Sequence, residues 1–175
     1  MYKSTTISKQ LLQLADRLGF EKICLEEKTD KRYRNFTARS QFYAMMVAQL
    51  TKQNGLRSIE NAIASDNDLY HAGVSQNIMR TNLAHTNEKR PCTVFQKFYF
   101  HLLEHYRSLY GDMSRKEEKN LKLIDATTIS LNMNDFSWAK FRNTKGGIKI
   151  NTRFDYDLEC EDYLFITNAN KHESE

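Results

Sequence analysis

Proline and glycine are scarce in this sequence. Its 175 residues include one Pro and six Gly, so few positions force a break in helix or strand. Cysteine is sparse too: Cys24, Cys92 and Cys160 are far apart and odd in number. They match no zinc spacing and read as reduced thiols. No apolar run approaches the roughly 20 residues that a membrane helix needs. The opening residues, MYKSTTISKQ, have no apolar stretch of the signal-peptide kind. These absences argue against disulfide-stapled, collagen-like and membrane-spanning classes. They place the chain in the cytoplasm, as an expectation.

What is present suits one globular domain or two small ones. Apolar residues make up 40% and charged residues 27%. The net charge of +4 is modest, but its distribution is uneven. Lys28 to Arg57 holds seven basic residues and one acid, Asp30. Trp138 to Arg153 holds five basic residues and no acid, whereas Asp155 to Glu175 holds seven acids and one Lys. Basic stretches of this kind either meet a polyanion by displacing its counterions or solvate a surface face.

Apolar spacing predicts helices in the first two-thirds. Ser8 to Leu18 carries Leu11, Leu14, Ala15 and Leu18, with Gly19 as a stop. Phe36 to Leu50 carries Phe42, Met45, Met46 and Leu50, with Thr37 or Ser40 as the cap. Leu56, Ile59 and Ile63 form a shorter stripe. Ser75 opens a helix bearing Ile78, Met79, Asn82 and Leu83. The longest stripe runs from Val94 to Leu109 through Phe98, Leu102 and Tyr106. The polar stretch 111–120, GDMSRKEEKN, reads as a linker. Beyond it the period falls to two. LKLIDATTISL is strand-like, and Ile148, Ile150, Thr152, Phe154 and Tyr156 alternate with polar residues, so one face is expected buried. YLFIT, 163–167, is a third strand. The expected fold class is α+β, with an all-helical domain over 1–110, a linker over 111–120 and a sheet over 121–175, folded as an antiparallel meander.

Three features bear on chemistry. Asp125 follows Leu121, Leu123 and Ile124 in a strand that looks central, where a carboxylate is costly to bury unless paired or bound to a cation. Mg²⁺ takes such hard oxygen ligands. The competing reading is a strand-end Asp capping a turn with Thr127 or Thr128. In FSWAKFRNTKGGIKI, Lys140, Arg142, Lys145 and Lys149 interleave with Phe136, Trp138 and Phe141. That mixture suits phosphate contact and base stacking, with Gly146–Gly147 as a tight turn; it also suits a basic loop with Trp138 in the core. Finally, the helices over 56–90 expose Gln76, Asn77, Arg80, Thr81 and His85, as a groove-reading element would, or form a plain packed pair. His101-Leu-Leu-Glu104-His105 has the form of a zinc-peptidase motif, but no third acidic ligand follows on a nearby helix.

Together these stretches resemble DDE transposases of the insertion sequence 4 group. FTARSQFYAMMVAQLTKQNGLRSIE and SQNIMRTNLAHTNEKRPCTVFQKFY are similar to that family's N-terminal helical segments. LKLIDATTISL resembles the strand with its first catalytic Asp. FSWAKFRNTKGGIKINTRFD and ITNANKHES resemble the stretches that follow, with Asn151 departing from a frequent His. The resemblance implies the first three strands of an RNase H-like fold, with Asp125 as the catalytic and metal-binding residue that carries over. In the family two further carboxylates complete a site for two Mg²⁺ ions, which drive phosphodiester cleavage and strand transfer; neither is matched by residues 1–175. The resemblance further implies double-stranded DNA as partner, at terminal inverted repeats. Gln76, Asn77, Arg80, Lys140, Arg142 and Lys145 are the expected contacts. The expectation is an N-terminal transposase fragment from a bacterial cytoplasm, inactive alone and able to self-associate or pair with full-length transposase. The alternatives are a DNA-binding repressor of transposition and a remnant without function.

Overall fold

The computed structural model describes residues 7–65, 74, 78–110, 121–132, 138–142 and 145–170, with backbone only at 140–142 and 145. Six helices precede four strands in the order α1 (Ile7–Arg17), α2 (Phe20–Glu26), α3 (Ala38–Leu50), α4 (Leu56–Ala64), α5 (Arg80–Lys89), α6 (Thr93–Tyr110), β1 (Lys122–Leu131), β2 (Lys140–Arg142), β3 (Lys145–Asp155) and β4 (Cys160–Asn168). This is an α+β fold with an N-terminal helical region. The chain divides into two compact units, residues 1–102 and 103–175. The stretch 111–120, read as a linker, lies outside the described residues.

In the helical unit, the helix ends follow local chemistry. Gly19, at φ 85°, accepts the left-handed conformation that ends α1, and the chain turns directly into α2. That second helix is not apparent from the sequence pattern, in which Gly19 reads only as a stop. Thr37 caps α3, its hydroxyl accepting from the Ser40 N–H at 3.2 Å. Helices α2 and α3 both end in a Schellman arrangement. The Lys28 and Thr29 N–H groups donate to the Leu25 and Cys24 carbonyls. Those of Lys52 and Gln53 donate to Gln49 and Ala48. Lys28 and Lys52 therefore sit at φ 51° and 53°, where glycine is the usual occupant.

Two apolar clusters fill this unit. One joins Leu12, Tyr43, Ala44, Val47, Ile59, Ile63 and Leu83; the other joins Ala15, Phe20, Ala38, Val94 and Phe98. Phe42 packs against both. Its ring centroid lies 4.8 Å from that of Phe20 and 5.7 Å from that of Phe98. The expected stripes are only partly buried: Ala15 and Leu18 of the Ser8–Leu18 stripe and Phe42 and Met46 of α3 pack in the clusters as expected. Leu12 and Ala15 are buried in α1, whereas Leu11 and Leu14 are exposed; in α3, Tyr43 and Val47 are buried while Met45 and Leu50 face out. Small alanines at 44 and 48 let neighbouring elements approach that face, which outweighs the larger but sparser stripe.

Arg90, just after α5, is the unit's polar tie. Its side chain is wholly buried and its guanidinium donates to Gln41 Oε1 at 2.5 Å, the Phe36 carbonyl at 2.6 Å and Asp30 Oδ1 at 3.2 Å. The same Asp30 oxygen accepts from the Ala38 N–H at 2.7 Å, while the Tyr33 ring lies over the guanidinium at 4.3 Å. One residue thus pins the loop before α3 to α3 itself and to the end of α5. Burial pushes the Arg90 pKa down, and Asp30 works against that shift.

In the sheet unit, β3 is central. β1 runs antiparallel along one side of it, and β4 and the short β2 pair with the other. The meander expected from the sequence is therefore present. Gly146 and Gly147, expected in a turn, lie in β3 opposite Leu131 and Ser130. Register places Leu123, Asp125, Thr127 and Ile129 on one face with Ile148, Ile150, Thr152, Phe154, Leu164 and Ile166. The alternation is as expected, but the expected burial is not. Leu123 is 50% exposed, and Ile129 and Ile166 are also open. On the opposite face Ile124, Tyr163 and Phe165 are open as well. Among the described residues both apolar clusters belong to the helical unit.

Candidate functional site

Asp125 is the fourth residue of β1. Its directly opposed partner is Thr152, and Leu164 lies beyond on β4. It is exposed, in the middle of a ten-residue strand. Two expectations change accordingly. Asp125 does not cap a turn, because the ladder is regular on both sides of it. The strand is also not central: among the described residues β1 pairs only with β3 and forms an edge. The carboxylate therefore does not bear the cost of burial. It has no hydrogen-bond or ion-pair partner among the described residues, although it shares a face with Leu123, Ile129, Ile148 and Ile150. A hydrated, unpaired carboxylate on an apolar sheet face is free to take a cation or a donor from outside.

One carboxylate does not make a two-cation site. Among the described residues no group of three or more His, Cys, Asp or Glu side chains comes together with metal-binding geometry. Asp155 and Asp162 are committed elsewhere. Asp155 ends β3, and its Oδ1 accepts from the N–H groups of Asp157 at 3.0 Å and Leu158 at 3.1 Å, closing the hairpin to β4. Its Oδ2 accepts from Lys122, directly across the ladder. Asp162 occupies a bulge where β3–β4 register shifts, and the bulge re-aims its side chain. Arg153 grips it with two bonds, 2.8 and 2.9 Å, and Arg107 approaches at 3.5 Å. Both carboxylates are buried. Burial alone would raise the Asp155 pKa, but Lys122 and the two backbone donors outweigh it and hold it below the carboxylate norm. For Asp162 the Arg153 bonds do so, against burial. This knot ties the hairpin together and commits both carboxylates to cationic and backbone donors.

The expected DNA contacts are only partly visible. Gln76 and Asn77 lie outside the described residues, as do the side chains of Lys140, Arg142 and Lys145. Arg80 is exposed and is the first residue of α5. Ser75, expected to open this helix, lies outside the described residues; Ile78 and Met79, expected within it, precede it, Met79 extended and Ile78 buried. The Arg80 N–H donates to Glu60 Oε1 at 3.2 Å, which leaves the guanidinium available. Thr81 and His85 are exposed on the same helix. Trp138 is 62% exposed, so it is a surface aromatic beside β2 and not a core residue. Sequence reasoning missed the Asp162 knot, because a bulge leaves no mark in composition or period.

Among the described residues no helix is long and apolar enough to cross a membrane. Residues 3–75 match a family described as a domain of unknown function (DUF4372). No curated protein and no solved structure matches the chain.

Proposed function

We propose that this chain is the N-terminal part of a bacterial DDE transposase, in which a helical DNA-associated unit precedes the first strands of an RNase H-like sheet. The observation that carries this reading is Asp125: an exposed, unpartnered carboxylate on the apolar face of β1, in an antiparallel β1–β3–β4 meander. In the transposase reading Asp125 contributes one of the carboxylates that hold Mg²⁺ near the scissile phosphate. Exposed Arg80 and the basic stretch around β2, with Lys140, Arg142 and Lys145, hold duplex DNA through its phosphates. Residues 1–175 alone bind DNA without cutting it, in the bacterial cytoplasm.

The test is binding of a labelled duplex carrying the element's terminal inverted repeats, followed across a salt series. The expected result is affinity that falls steeply with salt, a preference for the repeats over scrambled duplex that Arg80→Ala reduces, and unchanged binding in Asp125→Ala. No duplex binding at low salt would sink the reading. A regulatory variant of it is favoured by the open edge of β1 and the exposed Leu123, Ile124 and Ile129. That surface suits pairing with a second copy or with full-length transposase, which would repress transposition.

A further inference from the structure

We propose that a cleft in the helical unit, between the loop after α2 and the end of α5, seats backbone phosphates of duplex DNA; this rests on the DNA-binding reading above. The cleft has a volume of about 560 Å³, within the range of ligand sites. Its walls are mostly basic. Lys28, Lys31 and Arg32 line it, and none of the three makes an ion pair with any described residue. Lys89 lines the opposite side and pairs with the adjacent, exposed Glu88 at 2.5 Å. The single acid on the wall, Glu27, is already taken by Lys97.

Position, not charge alone, brings cations of this basic stretch to the cleft. Of the seven basic residues between 28 and 57, Arg39 is consumed by Asp16 and Glu21, at 2.7 and 2.6 Å. Arg34, Lys52 and Arg57 do not line the cavity. Lys28, Lys31 and Arg32 converge on it without a counter-charge among the described residues. The wall also holds a buried donor: Thr29 is 8% exposed, and its hydroxyl has no hydrogen-bond partner. An orphaned buried hydroxyl costs about 1–3 kcal/mol, and an oxyanion is the acceptor this surface would attract. The floor is stiff. Tyr33 is clamped between the Arg90 guanidinium at 4.3 Å and the His85 ring at 6.4 Å. A cleft with three uncompensated cations gains most from a polyanion, whose condensed counterions are released on contact. That favours a duplex backbone over an isolated phosphate.

The backbone provides a matched pair of substitutions. Lys28 and Lys52 occupy the same left-handed position at the ends of α2 and α3, so replacing either with Gly removes one charge and relaxes the backbone. Only Lys28 lines the cleft. Duplex affinity of the full chain is measured by fluorescence anisotropy across a salt series, with circular dichroism confirming the fold of each variant. Lys31→Gln with Arg32→Gln should weaken binding about tenfold or more and lower the slope of log K against log salt by about 2. Lys28→Gly should lower it by about 1, while Lys52→Gly leaves slope and affinity unchanged. Duplex binding that ignores Lys28, Lys31 and Arg32 would overturn the cleft and leave the DNA-binding reading standing. Equal losses from Lys28→Gly and Lys52→Gly would also overturn it, as diffuse surface charge. Binding of inorganic phosphate or a mononucleotide without binding of duplex would overturn the commitment to DNA. Failure to bind any of them would overturn both.

Discussion

In the helical unit Phe20, Tyr43 and Ile63 have almost no contact with solvent, whereas in the sheet unit Ile124 is 77% exposed and Leu123 half so. The first unit excludes water from apolar side chains and uses one buried Arg to fix its loops. The second relies on ladder hydrogen bonds and a knot of charges around Asp155 and Asp162. Apolar burial is non-directional and tolerant, while a charge knot depends on geometry and protonation. The two halves should therefore fail under different insults, and each can be broken without first breaking the other.

The largest effect is expected at Phe20. Phe20→Ala should cost the helical unit about 3–5 kcal/mol, read from denaturant unfolding followed at the helical dichroism band. A loss under about 1 kcal/mol would mean that this core is looser than its packing implies. Next comes Arg90→Met, which strands Asp30, Gln41 and the Phe36 carbonyl. About 3 kcal/mol should be lost, with little change in Tyr163 in the other unit, monitored by NMR.

The sheet unit should respond to acid. Asp155 and Asp162 have folded pKa values held below 3.8, so their contribution is fully present above the unfolded value. It is lost as pH falls through the lower folded values. The β3–β4 hairpin should loosen below about pH 4, seen as averaging of Tyr163 and Phe165 resonances while helical dichroism persists. Asp162→Asn should reproduce the loosening at neutral pH, costing about 2 kcal/mol. Loss of helix and sheet at one common pH would erase the contrast between the units. The smallest effect is expected at Ile124. Ile124→Thr removes an exposed apolar side chain and should change stability by less than about 0.5 kcal/mol. A larger loss in dilute solution would reveal a cover on that face.

Legibility in the sequence was uneven for physical reasons. Helical period, the Gly19 stop, the Thr37 cap and the two-residue alternation of β3 are local signals, and each has its counterpart in the fold. The exposure of Leu11, Leu14, Met45 and Leu50 was not legible, because neighbours, not stripe size, decide which part of a face is buried. Helix α2 was missed because seven residues between a Gly and a charged loop give too short a pattern. At the candidate site, the position of Asp125 in a strand could be read, but its exposure could not. Exposure depends on which strands flank β1 and on what covers the sheet. The basic residues were counted correctly as a stretch, yet only three-dimensional placement separates Lys31 and Arg32, which converge, from Arg39, which is already paired.

The three cysteines turn these differences into a clock. Cys24 sits at the edge of the Phe20 cluster, and burial, with Asp30 adding to it, pushes its thiol up to about 11. Cys160, at the start of β4, is also raised by burial, while Cys92 is exposed. A thiol reagent acts on the thiolate, so Cys24 and Cys160, half-buried and with raised pKa values, should react more slowly than a solvated thiol. Their alkylation half-times, read by mass spectrometry in a single sample, would follow the looseness of the helical unit and of the sheet unit independently.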